Sequence, residues 1–398
     1  MSGSWRDIRL KQEESLSPLA MRSKNSRGRL IPEPDCRVRS IFERDANRIL
    51  YSEDFRRLRH KTQVFFNAKN DHVCTRMEHV LYVNSISTTI GRTLGLNQDL
   101  ISAIALGHDI GHAPFGHSGE RRLDACVNRV NPALRFRHEY HSLRVVDRLS
   151  TRISHEKILS KCGLNLTYEV RDGIVSHCGE NYDEYVLRPD PDKKPEEIYT
   201  CEHRTAMPAT LEGCVVRLVD KIAYVGRDIE DAIRAKMMDF DAIPAEVRKT
   251  LGATNGQMIN TLVEDLLDNS WGRNEIRLSD ECGQALREMI MVNNEKIYKA
   301  PMIKRYEANT NNVVEGLFES VFNRVKVIME RSGGKTTEYG AVDLHGLPDG
   351  DKLDGRLLKY IEEKAYEPGT LPEQITVDYI AGMTDAYALS TFEELYWL

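Results

Sequence analysis

Apolar residues recur along this chain at helical intervals of three and four far more often than they alternate, which predicts a mostly α-helical protein. From Glu78 to Leu94 the positions Val83, Ile86, Ile90 and Leu94 keep one face, and Gly95 suits a helix C-terminus. Asn97 can cap a following helix over 99–110, on which Ile101, Ile104 and His108 share a stripe. The same spacing predicts helices over 118–129, 138–149, 167–177, 209–235, 257–269, 280–298 and 310–331. Two stretches read as loops: 179–208, with RPDPDKKPEE, and 332–352, with GGKTTEYG and GLPDGD.

Composition narrows the class. With 398 residues, 41% of them hydrophobic and 29% charged, the chain can build a sizeable globular core. No stretch approaches the roughly 18 apolar residues of a membrane span, and the first residues lack the apolar centre of a signal peptide, so a cytoplasmic protein without membrane contact is expected. Eight cysteines without a CxxC pair read as reduced thiols, which excludes a disulfide scaffold and a cysteine-rich zinc module. The net charge of −6 excludes a surface wholly given to nucleic acid. Residues 1–76, however, hold 17 lysines and arginines against 10 acids. That basic third is either a solvated face or a dock for nucleotide phosphates or single-stranded nucleic acid.

The chemistry concentrates in LGHDIGHAPFGHSGE, which contains His108, Asp109, His112, His117 and Glu120. Gly111, Pro114 and Gly116 break the helix there and predict a turn folding back over the end of the 99–110 helix. Several imidazoles and carboxylates buried together need a metal or a mutual hydrogen-bond network. His79 lies four residues before Val83 on the buried face of its helix and so points inward. In RLVDKIAYVGRDIEDAIR, Asp220, Tyr224 and Asp228 follow at four-residue steps, along one helix face. This mixed nitrogen and oxygen set suits a divalent cation, Mn or Mg first, with Fe, Co, Ni or Zn as further options.

The order His79, His108-Asp109, Asp220 resembles the H...HD...D signature of the HD superfamily, an all-α fold of metal-dependent phosphohydrolases. The phrases TRMEHVLYV, LGHDIGHAPFGHSGE, FRHEYHSLRVVDRL, YEVRDGIVSH, LEGCVVRLVDKIAYVGRDIEDAIR and YIAGMTDAYAL are similar, in order, to the dGTPase-like deoxynucleoside triphosphate triphosphohydrolases. The resemblance implies a basic N-terminal segment over 1–53, joined to oligomer or nucleotide contacts. An HD-type domain over 54–392 follows, with insertions near 179–208 and 332–352. It implies cleavage of a dNTP to a deoxynucleoside and inorganic triphosphate, and a homo-oligomer, hexameric or tetrameric.

Carried over residue by residue, the resemblance makes His79, His108, Asp109 and Asp220 metal ligands. Arg76 and Lys221 become phosphate contacts, assisted by Arg57 or Arg59, and His112 a phosphate contact or a support for the ligands. Tyr224, Asp228 and Tyr298 become sugar contacts and Gln63 a contact at the base and sugar end. Ala300 stands where the family frequently has histidine, and Glu120 where some relatives have Asp. His117 with Glu120 is assigned to the attacking water and His138 to the leaving oxygen, with the reverse assignment open. His141 is expected behind the site, and His60, His72, His155, His177, His203 and His345 as structural or surface residues. The rival readings are an HD phosphatase or phosphodiesterase acting on other nucleotides, and a nucleotide sensor or single-strand nucleic-acid binder. Neither accounts for the HAPFGHSGE and RHEYHS phrases together with the full set of imidazoles.

Overall fold

The computed structural model describes residues 5–63, 74–151, 163–178, 183–200, 206–337, 340–348 and 350–396. Among them are sixteen α-helices. The first eight are α1 (Trp5–Gln12), α2 (Ile41–Leu50), α3 (Glu53–Arg57), α4 (Arg76–Thr93), α5 (Gln98–Gly107), α6 (Gly116–Val130), α7 (His138–Arg144) and α8 (Tyr168–Val175). The others are α9 (Leu211–Arg234), α10 (Ala245–Leu251), α11 (Asn255–Ser270), α12 (Asp280–Asn293), α13 (Pro301–Ser332), α14 (Lys352–Glu363), α15 (Pro372–Ala381) and α16 (Asp385–Tyr396). The expected all-α architecture is therefore observed. Two short strands, β1 (Val186–Leu187) and β2 (Ile276–Arg277), pair antiparallel, Val186 opposite Arg277 and Leu187 opposite Ile276.

Helix α9 is the central element, because its 24 residues are buried on nearly every face: α4, α5, α8, α11 and α12 all pack on it. A second layer is built on α13, which carries α6, α15 and α16. The basic N-terminal segment is part of the same core. Helix α2 lays Phe42 and Ile49 against α5, and Arg29 pairs with the fully buried Asp45 at 2.5 Å. No helix of the described residues is long and apolar enough to cross a membrane.

Local rules explain the boundaries that position the site. Helix α4 begins with a capping box: the Thr75 hydroxyl accepts from the Glu78 N–H, and the Glu78 carboxylate accepts from the Thr75 N–H at 2.7 Å. Arg76 thereby becomes the first helical residue, and His79 faces the core one turn later. Gly95 adopts a φ of 70°, where only glycine is at ease, and Asn97 caps α5 through the N–H groups of Asp99 and Leu100.

Four expected helices differ from the spacing-based reading, 99–110 ending early at Gly107, and α1–α3, α10 and α14–α16 lie where the spacing marked none. Both 138–149 and 280–298 end in a wider π-helical turn, Val145–Leu149 and Asn294–Tyr298, which apolar periodicity does not distinguish from α-helix. The helix expected from 310 begins at Pro301, since its first turns are mostly polar and exposed and carry no apolar period. The loop over 179–208 contains β1 and a 3₁₀ turn at Pro195–Tyr199.

Candidate active site

The turn after α5 forms as expected. Phe115 takes a left-handed φ of 64° and Gly116 one of 62°, and a Cβ on Gly116 would lie 2.9 Å from the Gln63 carbonyl oxygen. The Phe115 N–H donates to Asp385 Oδ1 at 2.9 Å, which ties the turn to the start of α16. At Gly111 a Cβ would come within 2.2 Å of the Ser142 nitrogen, so only glycine lets α7 approach this closely. His141 supports the turn from behind, donating from Nδ1 to the Gly111 carbonyl at 2.7 Å.

This packing brings the distant ligands together. His79 Nε2 lies 2.9 Å from Asp220 Oδ1, and His108 Nε2 lies 3.8 Å from the same oxygen and 4.0 Å from Asp109 Oδ2. His108 donates from Nδ1 to the Ala105 carbonyl at 2.7 Å, which leaves a lone pair on Nε2. That Nε2 is buried and has no hydrogen-bond partner among the described residues, an arrangement that costs free energy unless a cation takes the lone pair. Donor atoms of His79, His108 and Asp109 lie within 4.8 Å of one another, as do those of His108, His177 and Asp220. The residues present therefore fit a divalent cation.

Arg76, fully buried, bonds Asp109 Oδ2 at 2.5 Å through Nη1, while its Nε and Nη2 have no partner among the described residues. Burial opposes the charge on Asp109, but Arg76 and the surrounding histidines hold its carboxyl well below the usual range. Asp220 is likewise lowered, burial being outweighed by the His79 hydrogen bond.

Beside this group, three imidazoles surround one carboxylate. His138 Nδ1 lies 3.1 Å from both Glu120 oxygens, its backbone N–H donates to Glu120 Oε1 at 3.0 Å, and His117 Nδ1 lies 3.2 Å from Oε2. Burial disfavours the imidazolium of His138, but the Glu120 charge overrides it and raises the group well above its ordinary value. His112 stacks on His138 with ring centroids 4.5 Å apart, and burial together with Arg76 and His138 keeps it neutral. His177, expected to be structural or on the surface, instead enters the site. Its Nδ1 donates to the Ile174 carbonyl at 2.6 Å, so its Nε2 accepts from His138 Nε2 at 3.2 Å. Burial and the nearby His108 and His138 depress it to about 3.

A cavity of about 530 Å³ opens onto these groups. Of the residues singled out in the sequence, Gln63, Arg76, His79, Asp109, His117, Glu120, His138, Asp220, Lys221, Tyr224, Asp228 and Tyr298 line it. His108 and His112 sit fully buried behind the wall. Tyr298 donates its hydroxyl to Asp228, and burial raises Asp228 to about 7. Arg57 pairs with Asp54 and Arg59 lies against His60, so neither reaches the cavity. His60 and His345 are exposed, and His72, His155 and His203 lie outside the described residues.

Besides His177, sequence reasoning missed Glu184. Its carboxylate lies 3.0 Å from Lys221 Nζ and takes both Arg217 Nε and Nη2, at 3.0 and 2.8 Å. For His177 a signal existed, because it closes the YEVRDGIVSH phrase. Glu184 sits in the segment 179–208, where no pattern marked it.

The site and the helices around it define an HD-domain protein of the hydrolase class, and the HD domain family model matches residues 76–225. A deoxyguanosinetriphosphate triphosphohydrolase-like protein of Caldanaerobacter subterraneus subsp. tengcongensis is 37% identical over 381 residues, 96% of this chain and 92% of that protein. Proteins of the same name from Desulfatibacillum aliphaticivorans and Clostridium tetani are 34% and 33% identical over 96% of this chain, covering 95% and 93% of their own lengths. The chain belongs to the deoxyguanosinetriphosphate triphosphohydrolase-like family.

Proposed function

We propose that this pocket hydrolyses deoxynucleoside triphosphates between the α-phosphorus and the 5′ oxygen, giving a deoxynucleoside and inorganic triphosphate. The observation that carries the reading is a single cavity lined by metal-competent donors, by Arg76 and Lys221, and by the imidazoles joined to Glu120. The printed names of the relatives support a deoxynucleotide as the substrate.

In this reading His79, His108, Asp109 and Asp220 hold a divalent cation, Mn or Mg, which when bound supplies positive charge to the reacting phosphoryl group. Arg76 offers its unpaired Nε and Nη2 protons to the polyphosphate, at a position fixed by Asp109. Lys221 adds a second cation, oriented by Glu184. The departing 5′ alkoxide is a poor leaving group and needs a proton, which His138 gives while Glu120 stabilises its charged form. His117, with its side chain 57% exposed and bonded to Glu120, receives the proton of the attacking water. His112 supports the stack behind them. At the far end Tyr224, Asp228 and Tyr298 hold the deoxyribose, and Gln63, whose Oε1 is buried without a partner among the described residues, accepts from the base or sugar.

Product analysis with each of the four dNTPs and Mn or Mg tests the reading. Release of inorganic triphosphate and deoxynucleoside is expected from at least one of them. Pyrophosphate with a monophosphate, or orthophosphate alone, would overturn it.

A further inference from the structure

The phrase YIAGMTDAYAL carries none of the site residues assigned from the sequence, yet it spans the end of α15 and the start of α16 and meets the histidine-bearing turn. Two buried groups make the connection, Lys61 and Asp385. Lys61 Nζ donates to the His112 carbonyl at 2.5 Å and to the carbonyl of Ala381, the last residue of α15, at 2.7 Å. Asp385 bonds the next part of the turn: its Oδ1 accepts from the Phe115 N–H at 2.9 Å. Its Oδ2 accepts from the Thr62 N–H and hydroxyl, at 2.9 and 2.5 Å. The Lys61 carbonyl in turn accepts the Arg76 N–H at 3.0 Å, and Thr62 bridges to Thr75. The short segment at Lys61 and Thr62 is therefore a clamp that joins the turn, the first residue of α4 and the α15–α16 junction.

We propose that Lys61 is a positioning residue for the reaction: by fastening the His112 carbonyl to the end of α15 it fixes the His112 ring against His138. Those rings stack with centroids 4.5 Å apart, so movement of the His112 backbone carries over to His138. Burying an ammonium group is costly. Burial, with repulsion from Arg57 and Arg76, holds that of Lys61 down to about 7 against the pull of Asp385 and Asp109. An apolar side chain would fill the same space without this cost, so what the lysine adds is its two bonds. They are charge-assisted, and one of them ends on a carbonyl at the negative end of the α15 dipole. This inference rests on the proposed hydrolysis, in which His138 gives a proton to the leaving oxygen. Among the described residues, Lys61 Nζ makes no hydrogen bond to a group assigned to the cation or to the nucleotide. Its link to Arg76 runs through the backbone carbonyl, which a side-chain change leaves in place. Loss of the ammonium should therefore slow turnover without weakening substrate binding. A misplacement of about 1 Å can cost about a hundredfold in rate.

The test compares the Mn-loaded full-length parent with Lys61→Met, whose side chain is of similar length and has no N–H donor. Steady-state kcat and KM are measured with a dNTP that the parent cleaves, beside Mn per folded molecule and hydrogen–deuterium exchange of peptides covering 108–117. The variant should show kcat lower by about tenfold or more, KM within about twofold of the parent and unchanged Mn. Exchange over 108–117 should be faster, and exchange in α9 unchanged. Asp385→Asn replaces one accepting oxygen of the same clamp with an amide group, should act in the same way, and serves as the test should Lys61→Met fail to fold. A parental kcat in the folded variant, unchanged exchange over 108–117, or a loss of Mn or a rise in KM in proportion to the loss of rate would each overturn the proposal. The two readings fail separately. A parent that releases no triphosphate from any dNTP overturns the hydrolysis and this inference with it, whereas a parent that releases triphosphate and a variant equal to it overturn this inference alone.

Discussion

Two regions of this molecule bury several charged groups, and they treat them in opposite ways. Around Asp378 on α15, the carboxylate takes Arg144 Nε and Nη2 at 2.7 and 2.6 Å, the Tyr366 hydroxyl at 2.8 Å and Gln374 Nε2 at 2.9 Å. Burial would raise this acid, but Arg144 and His141 hold it down at about 2. In the candidate site, Arg76 Nε and Nη2, both nitrogens of His112, and His108 Nε2 are buried with no hydrogen-bond partner among the described residues. A closed network such as that of Asp378 stabilises the fold. An open one stores desolvation free energy that a cation and a polyanion can release on binding, and this is what marks the pocket as a binding site.

The largest expected effect tests that contrast directly. Asp109→Ala should abolish triphosphate release and bound metal together, and because it leaves the buried Arg76 without its charge partner it should also lower stability, by about 3 to 5 kcal/mol. Metal analysis beside a turnover assay checks this, and full activity with normal metal content would remove Asp109 from the site. His138→Ala and His117→Ala should each slow turnover by about 10² to 10⁴, the usual contribution of a proton transfer, with metal content retained. Loss of metal in proportion to rate would make the residue a ligand instead.

The Asp378 network should respond in stability alone. Asp378→Asn leaves Arg144 without its charge partner, and breaking a buried pair typically lowers stability by about 3 to 5 kcal/mol. Denaturant unfolding should show that loss, while metal content per folded molecule is unchanged. A variant as stable as the parent would mean the network is not structural.

The smallest effect concerns a third buried acid, Glu212 on α9, whose Oε1 accepts the N–H groups of Met21 and Asn97, both at 3.0 Å, and whose Oε2 has no partner among the described residues. Burial raises its pKa from 4.5 to about 7, with Glu13 adding repulsion. The folded protein therefore holds a proton that the unfolded chain releases between these values, so stability falls as pH rises from about 4.5 to 7 and is level above. At about 1.4 kcal/mol per unit the change is about 3 kcal/mol. Glu212→Gln should flatten this slope, so that its stability exceeds that of the parent above pH 7. Parallel slopes for the two proteins in chemical unfolding would show that Glu212 does not titrate in this range.

Relations within one helix were legible before any fold was known. Asp220, Tyr224 and Asp228 line the same cavity because four-residue steps keep one helix face, and His117 meets Glu120 for the same reason. The glycine and proline breaks between Gly111 and Gly116 likewise announced the turn that carries His112, although His117, expected on that turn, stands in the first turn of α6. The H...HD...D order and its surrounding phrases brought His79, His108, Asp109 and Asp220 into one reading, through resemblance and not through spacing.

What only packing decided are the contacts between residues far apart in the chain. His138 reaches Glu120 across 18 positions and His177 across 39, and Lys221 reaches Glu184 across 37. Asp385 fastens Thr62, 323 residues away, at the edge of the pocket. No periodicity encodes such pairs, because apolar spacing determines which face of a helix is buried but not which other helix will cover it. The chain by itself determined that this is an all-helical protein with a histidine-rich turn beside inward carboxylates. The tertiary structure decided that His177 joins the imidazoles, that Glu184 holds Lys221, and that Arg57 and Arg59 turn elsewhere. The reason is physical: a buried charge takes whichever partner the packed helices bring within hydrogen-bond reach, and that partner is settled only when the helices close on one another.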